Sequence, residues 1–258
     1  MPNARQYLDF PDIEVNPRAH RAQYRLLDSG RTVHLKTQPH QLRDDLLNHL
    51  LSLNIDRYWR ARTVRSIARF LANPEARVLD VACGTGDLML ALEARGQARI
   101  FGSDFCHPML VAAGVKAKRR GSRAALFEAD ALQLPLAGAS FDAVTIAFGF
   151  RNLANYEHAL SELLRILKPG GCLAILEFST PPNRQLARLY DFYSRAILPR
   201  VGGWISGSRE AYSYLPESVR KFPNAAGLAD QMRAAGFANV RFHRMTAGIV
   251  ALHLGERR

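Results

Sequence analysis

The sequence predicts an α/β fold: a seven-stranded, mostly parallel sheet with helices on both faces, an antiparallel C-terminal hairpin, and a cap inserted between the fifth strand and the last helix. Three observations predict it. From residue 77 onward, short apolar, β-branched runs alternate with helical stretches, the rhythm of βαβ units. That rhythm breaks once, after the fifth run, and then resumes. The last two runs are separated only by Thr246 and Ala247, too short a link for a crossover, so they read as a hairpin.

Taken in order, residues 1–43 form an N-terminal extension whose first part lacks any clear period and reads as flexible. Residues 44–258 read as one domain, and Leu42 to Leu71 reads as helical. Strands follow at RVLDVAC (77–83), ARIFGSD (98–104), AALFEAD (124–130), FDAVTIAF (141–148) and CLAILEFS (172–179). Helices fall between them at Asp87 to Arg95, Pro108 to Arg120 and Tyr156 to Leu167. Lys168-Pro169-Gly170-Gly171 reads as a helix stop turning into the fifth strand. Residues 181–223, rich in Tyr, Arg, Pro and Gly, form the cap. A helix, Gly227 to Ala235, then precedes strands NVRFHRM (239–245) and GIVALHL (248–254).

Composition narrows the class. At 258 residues and 48% hydrophobic, the chain can bury one substantial core. Lys and Arg number 35 against 23 Asp and Glu, a net charge of +12. Such an excess suits nucleic acid, an anionic membrane surface or an anionic cofactor. The Arg residues are scattered, however, and the densest basic block, Lys116 to Arg120, has no interleaved aromatics to stack bases, so no nucleic-acid partner is expected. Cys83, Cys106 and Cys172 form no CxxC pair and no spaced Cys/His set, which supports neither a disulfide framework nor a metal site. A cytoplasmic protein is expected, since the N-terminus has no apolar signal region and no run approaches the roughly 18 apolar residues of a spanning helix.

VLDVACGTGD ends the first strand and opens a helix, the place where open parallel sheets bind ligands. Gly84 and Gly86 permit a tight turn and close backbone approach. Asp104 closes the second strand about 20 residues on, where an acid can accept both hydroxyls of a ribose. Asp130 closes the third strand in the same way. The loop lacks the third glycine of G-x-G-x-x-G and any following Lys-Ser/Thr, so it serves neither a dinucleotide nor a triphosphate. A smaller group fits, such as the amino-acid end of S-adenosylmethionine.

With D-x-A-C-G-T-G-D, an acid-ended second strand and L-K-P-G-G, the chain resembles the class I S-adenosylmethionine-dependent methyltransferases, whose fold is Rossmann-like. FDAVTIAFGFRNLANYEHAL (141–160), RILKPGGCLAILEFSTP (165–181), YSYLPESVRKFPN (212–224) and MTAGIVALHLGE (245–256) are similar to the ubiquinone/menaquinone biosynthesis C-methyltransferases. The likeness runs from about residue 44 to 256. It implies that S-adenosylmethionine is held by Asp80, Gly84, Thr85, Gly86, Asp104, Asp130 and Ala131, with Ala147 standing where members often have Ser. A second departure is Asp44, at a position where Tyr is expected, although Asn48, Ser52 and Trp59 are in place.

The implied reaction carries a methyl group to a ring carbon of a prenylated quinol. SDFCHPML and FGFRNLANY are closer to members acting on demethylmenaquinol, with the benzoquinol of ubiquinone biosynthesis as the alternative. Such a site must favour a phenolate, and Arg151 is the expected stabiliser with Asn152 orienting it. The proton acceptor stays open among Asp191, Glu177, His243, His253 and water. Tyr190, Tyr193, Tyr212 and Tyr214 of the cap are expected to line a pocket for the prenyl tail. Peripheral contact with the inner face of the membrane is expected, and the oligomeric state, a homodimer included, is left open. Three further readings compete: a methyltransferase for another lipophilic acceptor, an RNA-binding protein, and an inactive cofactor-binding homologue.

Overall fold

The computed structural model describes residues 55–183, 185, 218, 219 and 221–258. The N-terminal extension with Asp44, Asn48 and Ser52, and Tyr190, Asp191, Tyr193, Tyr212 and Tyr214 of the cap, lie outside the described residues.

The elements follow the predicted alternation. Helices α1 (Ile55–Ser66) and α2 (Ala68–Leu71) lead to β1 (Arg77–Val81), α3 (Asp87–Glu93), β2 (Arg99–Asp104), α4 (His107–Arg119) and β3 (Ala125–Glu128). Then come β4 (Phe141–Ala147), a 3₁₀ turn (Phe150–Asn152), α5 (Tyr156–Ile166), β5 (Leu167–Phe178), α6 (Ala225–Ala234), β6 (Ala238–Met245) and β7 (Val250–Glu256). The sheet order is β3-β2-β1-β4-β5-β7-β6. Five strands pair in parallel, and β7 slots in antiparallel between β5 and β6. The hairpin therefore reverses only β7, and the edge strand β6 points with the other five.

One boundary differs from expectation. β5 begins at Leu167, and the register jumps from Phe141 opposite Leu167 to Ala143 opposite Cys172. Lys168 to Gly171 is thus an excursion within the strand. Its polar groups are paired with the C-terminus: Gly170 N donates to Arg257 O at 2.8 Å and Arg257 N to Gly171 O at 2.9 Å. Gly170 takes a φ of 76°, which a side chain would resist.

Period-two alternation sends neighbouring strand residues to opposite cores. Leu79, Val144, Ile146, Leu173 and Ile175 pack under Leu160 and Leu163 of α5, while Val78, Ile100, Ala143 and Leu176 pack with Met89, Leu92 and Trp59. Because both faces are covered, the strands read as continuous apolar runs rather than alternating ones. Each fully buried Leu or Ile contributes about 1.5–3 kcal/mol. Helices α5 and α6 begin on Asn caps, Asn155 accepting from His158 N and Asn224 from Gly227 N, both at 2.9 Å; each is worth about 1 kcal/mol. The order in which successive strands are added reverses between the parallel neighbours β1 and β4, and open parallel sheets bind ligands at the carboxyl ends of the strands at such a switch point.

Candidate active site

Beyond β1 the chain turns tightly: Ala82, Gly84 and Gly86 have φ of 50°, 55° and 82°. A Cβ at Gly86 would lie 3.2 Å from Met89 Cε and 3.3 Å from Ala113 Cβ, so glycine lets α4 ride against the loop. Cys83 N donates to Ser103 O at 2.9 Å, tying the loop to β2. Asp104 then fixes the loop from the side. Its Oδ2 accepts from Gly84 N and its Oδ1 from Cys106 N, both at 2.8 Å. Two amides thus set the plane of this carboxylate at the rim.

At the end of β3, Asp130 is exposed and its Oδ1 accepts from Leu132 N at 2.9 Å, while Ala131 is buried. Beside Asp104 stands a residue that the sequence reading missed. Phe105 is 58% exposed, an apolar ring left at the rim where it can stack on a flat heterocycle. The signal for it was an aromatic immediately after the acid that ends a strand.

Asp80 lies beneath the loop at 1% exposure. It accepts from Thr145 Oγ1 at 2.7 Å, and burial pushes its carboxyl up to about 7 despite hydrogen bonds from Thr145 and the Met89 backbone. Thr85 is met by Lys116 of α4, and Asp87 opens α3.

At the end of β4, Ala147 is half-buried opposite Leu176. Phe148 has a φ of 58°, and a Cβ on Gly149 would stand 2.6 Å from Ala82 Cβ. The two rim turns therefore touch. Arg151 follows in the 3₁₀ turn and is 8% exposed, so it is no surface ion pair. Its Nη1 donates to the Phe148 carbonyl and, at 2.9 Å, to Glu177 Oε1. Nε is buried with no acceptor among the described residues. The guanidinium also lies 5.3 Å from the Phe178 ring centroid. Phe178, Phe148 and Trp59 pack together at centroid distances of 4.9 to 6.3 Å, and Trp59 Nε1 donates to Thr246 Oγ1 at 2.9 Å. An apolar aromatic wall thus flanks the arginine, while Asn152 is exposed.

The proton-acceptor candidates separate. Glu177 accepts from Arg151 Nη1, Arg151 N and Phe178 N, which makes it a brace for the rim. His253 sits in mid-strand opposite Ile175, donates Nε2–H to the Ala225 carbonyl at 2.8 Å, and burial pushes its ring down to about 4. His243 is exposed on the edge strand. Neither histidine lies at the rim of β1 and β4.

Of the carboxylates around the loop, Asp80 is buried and raised to about 7 and Asp87 is paired with Lys116, which leaves Asp104, held at the rim by two backbone amides, as the group suited to the hydroxyls of a ribose. Among the described residues no cluster of His, Cys, Asp and Glu is arranged to hold a metal ion, and no helix is long and apolar enough to cross a membrane.

Comparison with known proteins agrees with this geometry. A demethylmenaquinone methyltransferase of Thermus thermophilus is 50% identical over 83% of this chain and 96% of its own length. One of Deinococcus radiodurans is 45% identical over 90% of this chain and 95% of its own. A ubiquinone/menaquinone biosynthesis C-methyltransferase of Syntrophotalea carbinolica is 47% identical over 83% and 90%. The fold recurs in an S-adenosylmethionine-dependent methyltransferase from Aquifex aeolicus, with a TM-score of 0.55 and 19% identity over 75% of this chain and 88% of that one. It recurs equally in the [4+2]-cyclase SpnF, with a TM-score of 0.58 and 21% identity over 76% and 80%, so fold alone does not fix chemistry. The sequence match is narrower: residues 38–257 fit the model of one family, and the chain belongs to the ubiE/COQ5 methyltransferase family.

Proposed function

We propose that the chain methylates a ring carbon of a prenylated hydroquinone with S-adenosylmethionine, demethylmenaquinol being the substrate and menaquinol the product. The observation that carries the reading is the meeting, at one rim, of a glycine loop and its carboxylate, Asp104, with a buried arginine set against an aromatic wall. Relatives 45% and 50% identical that bear the demethylmenaquinone methyltransferase name supply the ring. A benzoquinol is the second reading, favoured by the relative whose name joins ubiquinone to menaquinone.

When bound, S-adenosylmethionine supplies a methyl group on a sulfonium, already a good electrophile. The chain's own work is to hold, align and desolvate. Gly84, Thr85 and Gly86 would hold the amino-acid end, Asp104 the ribose, and Asp130, Ala131 and Phe105 the base, with Ala147 contributing backbone only. Arg151 would hold the hydroquinone oxygen. A buried Nε–H without an acceptor is costly, and a phenolate oxygen would complete it while the positive charge favours the ionised form. Asn152 would orient the same oxygen. Trp59, Phe148 and Phe178, packed together beside Arg151, would keep water from the reacting carbon. Asp191 is retained as the candidate proton acceptor, with Tyr190, Tyr193, Tyr212 and Tyr214 around the prenyl tail.

This reading places the enzyme in the cytoplasm against the membrane's inner face, where a prenylated ring partitions and where a net charge of +12 is attracted to anionic headgroups. The test is transfer of labelled methyl to reduced short-chain demethylmenaquinol in detergent, with the benzoquinol alongside. Labelling of the naphthoquinol alone supports the first reading, and labelling of the benzoquinol the second. Cofactor binding with no transfer to either ring overturns both. Salt-sensitive sedimentation with anionic vesicles tests the location.

A further inference from the structure

Two buried polar atoms at the rim of β4 and β5 lack a hydrogen-bond partner among the described residues. One is Nε of Arg151, which would meet the ionising hydroquinone oxygen, and the other is Oγ of Ser179, a residue only 3% exposed. Their positions are related through β5. Ser179 lies one residue past the strand, but its N–H donates to the Ile249 carbonyl at 2.8 Å, continuing the ladder in which Glu177 faces Ala251 and Phe178 faces Val250. Alternation therefore sends the Ser179 side chain to the side of the sheet that Glu177 occupies. Arg151 Nη1 donates to Glu177 Oε1 at 2.9 Å, so the guanidinium meets that side too. Side chains two residues apart on a strand are separated by about 7 Å, the scale of an aromatic ring with an oxygen at either end. Ser103, the remaining buried hydroxyl without a partner among the described residues, belongs to β2 and is separated from these two strands by β1.

We infer that Ser179 is the second polar anchor of the substrate ring, holding the hydroxyl across the ring from the one at Arg151. The inference rests on the reading that the substrate is a hydroquinone. A hydroxyl buried without a partner has given up its hydrogen bonds to water, so a ligand group that restores one is favoured there. A serine hydroxyl both donates and accepts, which suits a second phenolic hydroxyl. The difference in charge between the two anchors bears on the chemistry. Ionisation of the oxygen beside the reacting carbon sends electron density to that carbon, whereas ionisation of the far oxygen of demethylmenaquinol sends it to the carbon that already bears the prenyl chain. Cationic Arg151 favours the ionised form of its oxygen, and neutral Ser179 leaves its own protonated. Ser179 thus fixes which way round the ring binds and takes no proton itself.

The test measures methyl transfer by the whole chain to two acceptors, reduced short-chain demethylmenaquinol and the prenylated 1-naphthol that lacks the far hydroxyl. Wild type and Ser179→Ala are compared by the ratio of kcat/KM for the diol to that for the mono-ol, so that intrinsic ring reactivity cancels. The ratio is expected to fall about fivefold in Ser179→Ala, the worth of one neutral hydrogen bond, with the loss on the diol alone. Affinity for S-adenosylhomocysteine and the thermal midpoint stay at their wild-type values, since the hydroxyl removed has no partner among the described residues. If the mono-ol turns over too slowly to measure, its inhibition constant against the diol takes the place of its kcat/KM. An unchanged ratio overturns the inference, and so does equal loss on both acceptors, which marks a hydroxyl that only braces the rim. If Ser179→Ala does not fold, Ser179→Cys, whose thiol is a weak donor and acceptor, decides by the same ratio. A wild-type chain that binds S-adenosylhomocysteine yet methylates neither acceptor defeats the parent reading, an outcome distinct from an unchanged ratio.

Discussion

Arg151 and Glu177 form an ion pair of 2.9 Å between the carboxyl ends of β4 and β5, and both are buried, at 8% and 0% exposure. Two charges out of water survive only when hydrogen bonds replace their solvation. Here the carboxylate also accepts from the backbone N–H of Arg151 and of Phe178, and the guanidinium also donates to the Phe148 carbonyl. The pair therefore sets the shape of the rim and holds the guanidinium in one position.

Removing one partner strands the other. Glu177→Ala is expected to cost about 3–5 kcal/mol in urea unfolding, because it leaves an uncompensated buried guanidinium. Glu177→Leu combined with Arg151→Met should cost less than Glu177→Ala alone. A single-variant loss below about 1 kcal/mol, the range of a surface pair, would contradict the burial. In turnover, Arg151→Met should lose about 10²-fold or more in kcat if the guanidinium meets developing negative charge.

Gly149 is where the β1 and β4 turns touch. Gly149→Ala pushes a methyl to 2.6 Å from Ala82 Cβ, an atom fixed to backbone, so the turns must separate. Overpacking of this kind costs about 1–3 kcal/mol. Thermal unfolding should show the loss, and kcat should fall more than stability suggests, since Arg151 moves with the turn. Wild-type kcat in the variant would place the chemistry elsewhere.

Ala147 ends β4 at the rim, where the family resemblance leads one to expect Ser. Ala147→Ser adds a hydroxyl at a half-buried rim position. Affinity for S-adenosylhomocysteine should rise by no more than about fivefold, the worth of one neutral hydrogen bond of about 1 kcal/mol. A loss of affinity would mean that the position crowds the ligand.

Local pattern made the scaffold legible. The five parallel strands announce themselves as apolar runs, and Gly84, Gly86, Asp104 and Asp130 are placed by chain order at one rim. What the sequence hid depends on which strands become neighbours. Glu177 is 26 residues from Arg151, and their pairing exists only because β4 and β5 are adjacent. Lys116 reads as one of a basic block, and only the approach of α4 to a bare Gly86 turns it inward. Lys168 to Gly171 reads as a stop because Pro and Gly end helices, yet pairing with Arg257 draws the segment into β5. The positive φ of Ala82 and Phe148 has no local cause, since neither residue type favours it. Contacts across the rim hold them there.

Two buried titratable groups bias stability in opposite directions over one pH window. Burial raises the Asp80 carboxyl from 3.8 to about 7, with Asp104 adding to the rise and Thr145, the Met89 backbone and Arg60 opposing it. Between those values the folded chain holds more protons than the unfolded one, so stability falls as pH rises. Burial lowers the His253 ring from 6.5 to about 4, with Arg244 adding to the fall and its hydrogen bond to Ala225 opposing it. Here the unfolded chain holds more protons, so stability is lost as pH falls from 6.5 toward 4. Each limb approaches about 1.4 kcal/mol per pH unit, and between pH 4 and 6.5 they largely cancel in the wild type. Asp80→Asn removes the first limb, so relative to the wild type its stability should rise with pH. His253→Gln removes the second, and its stability should fall. Urea midpoints at three pH values in the window suffice, and two variants whose slopes both match the wild type would show that neither group titrates differently on folding.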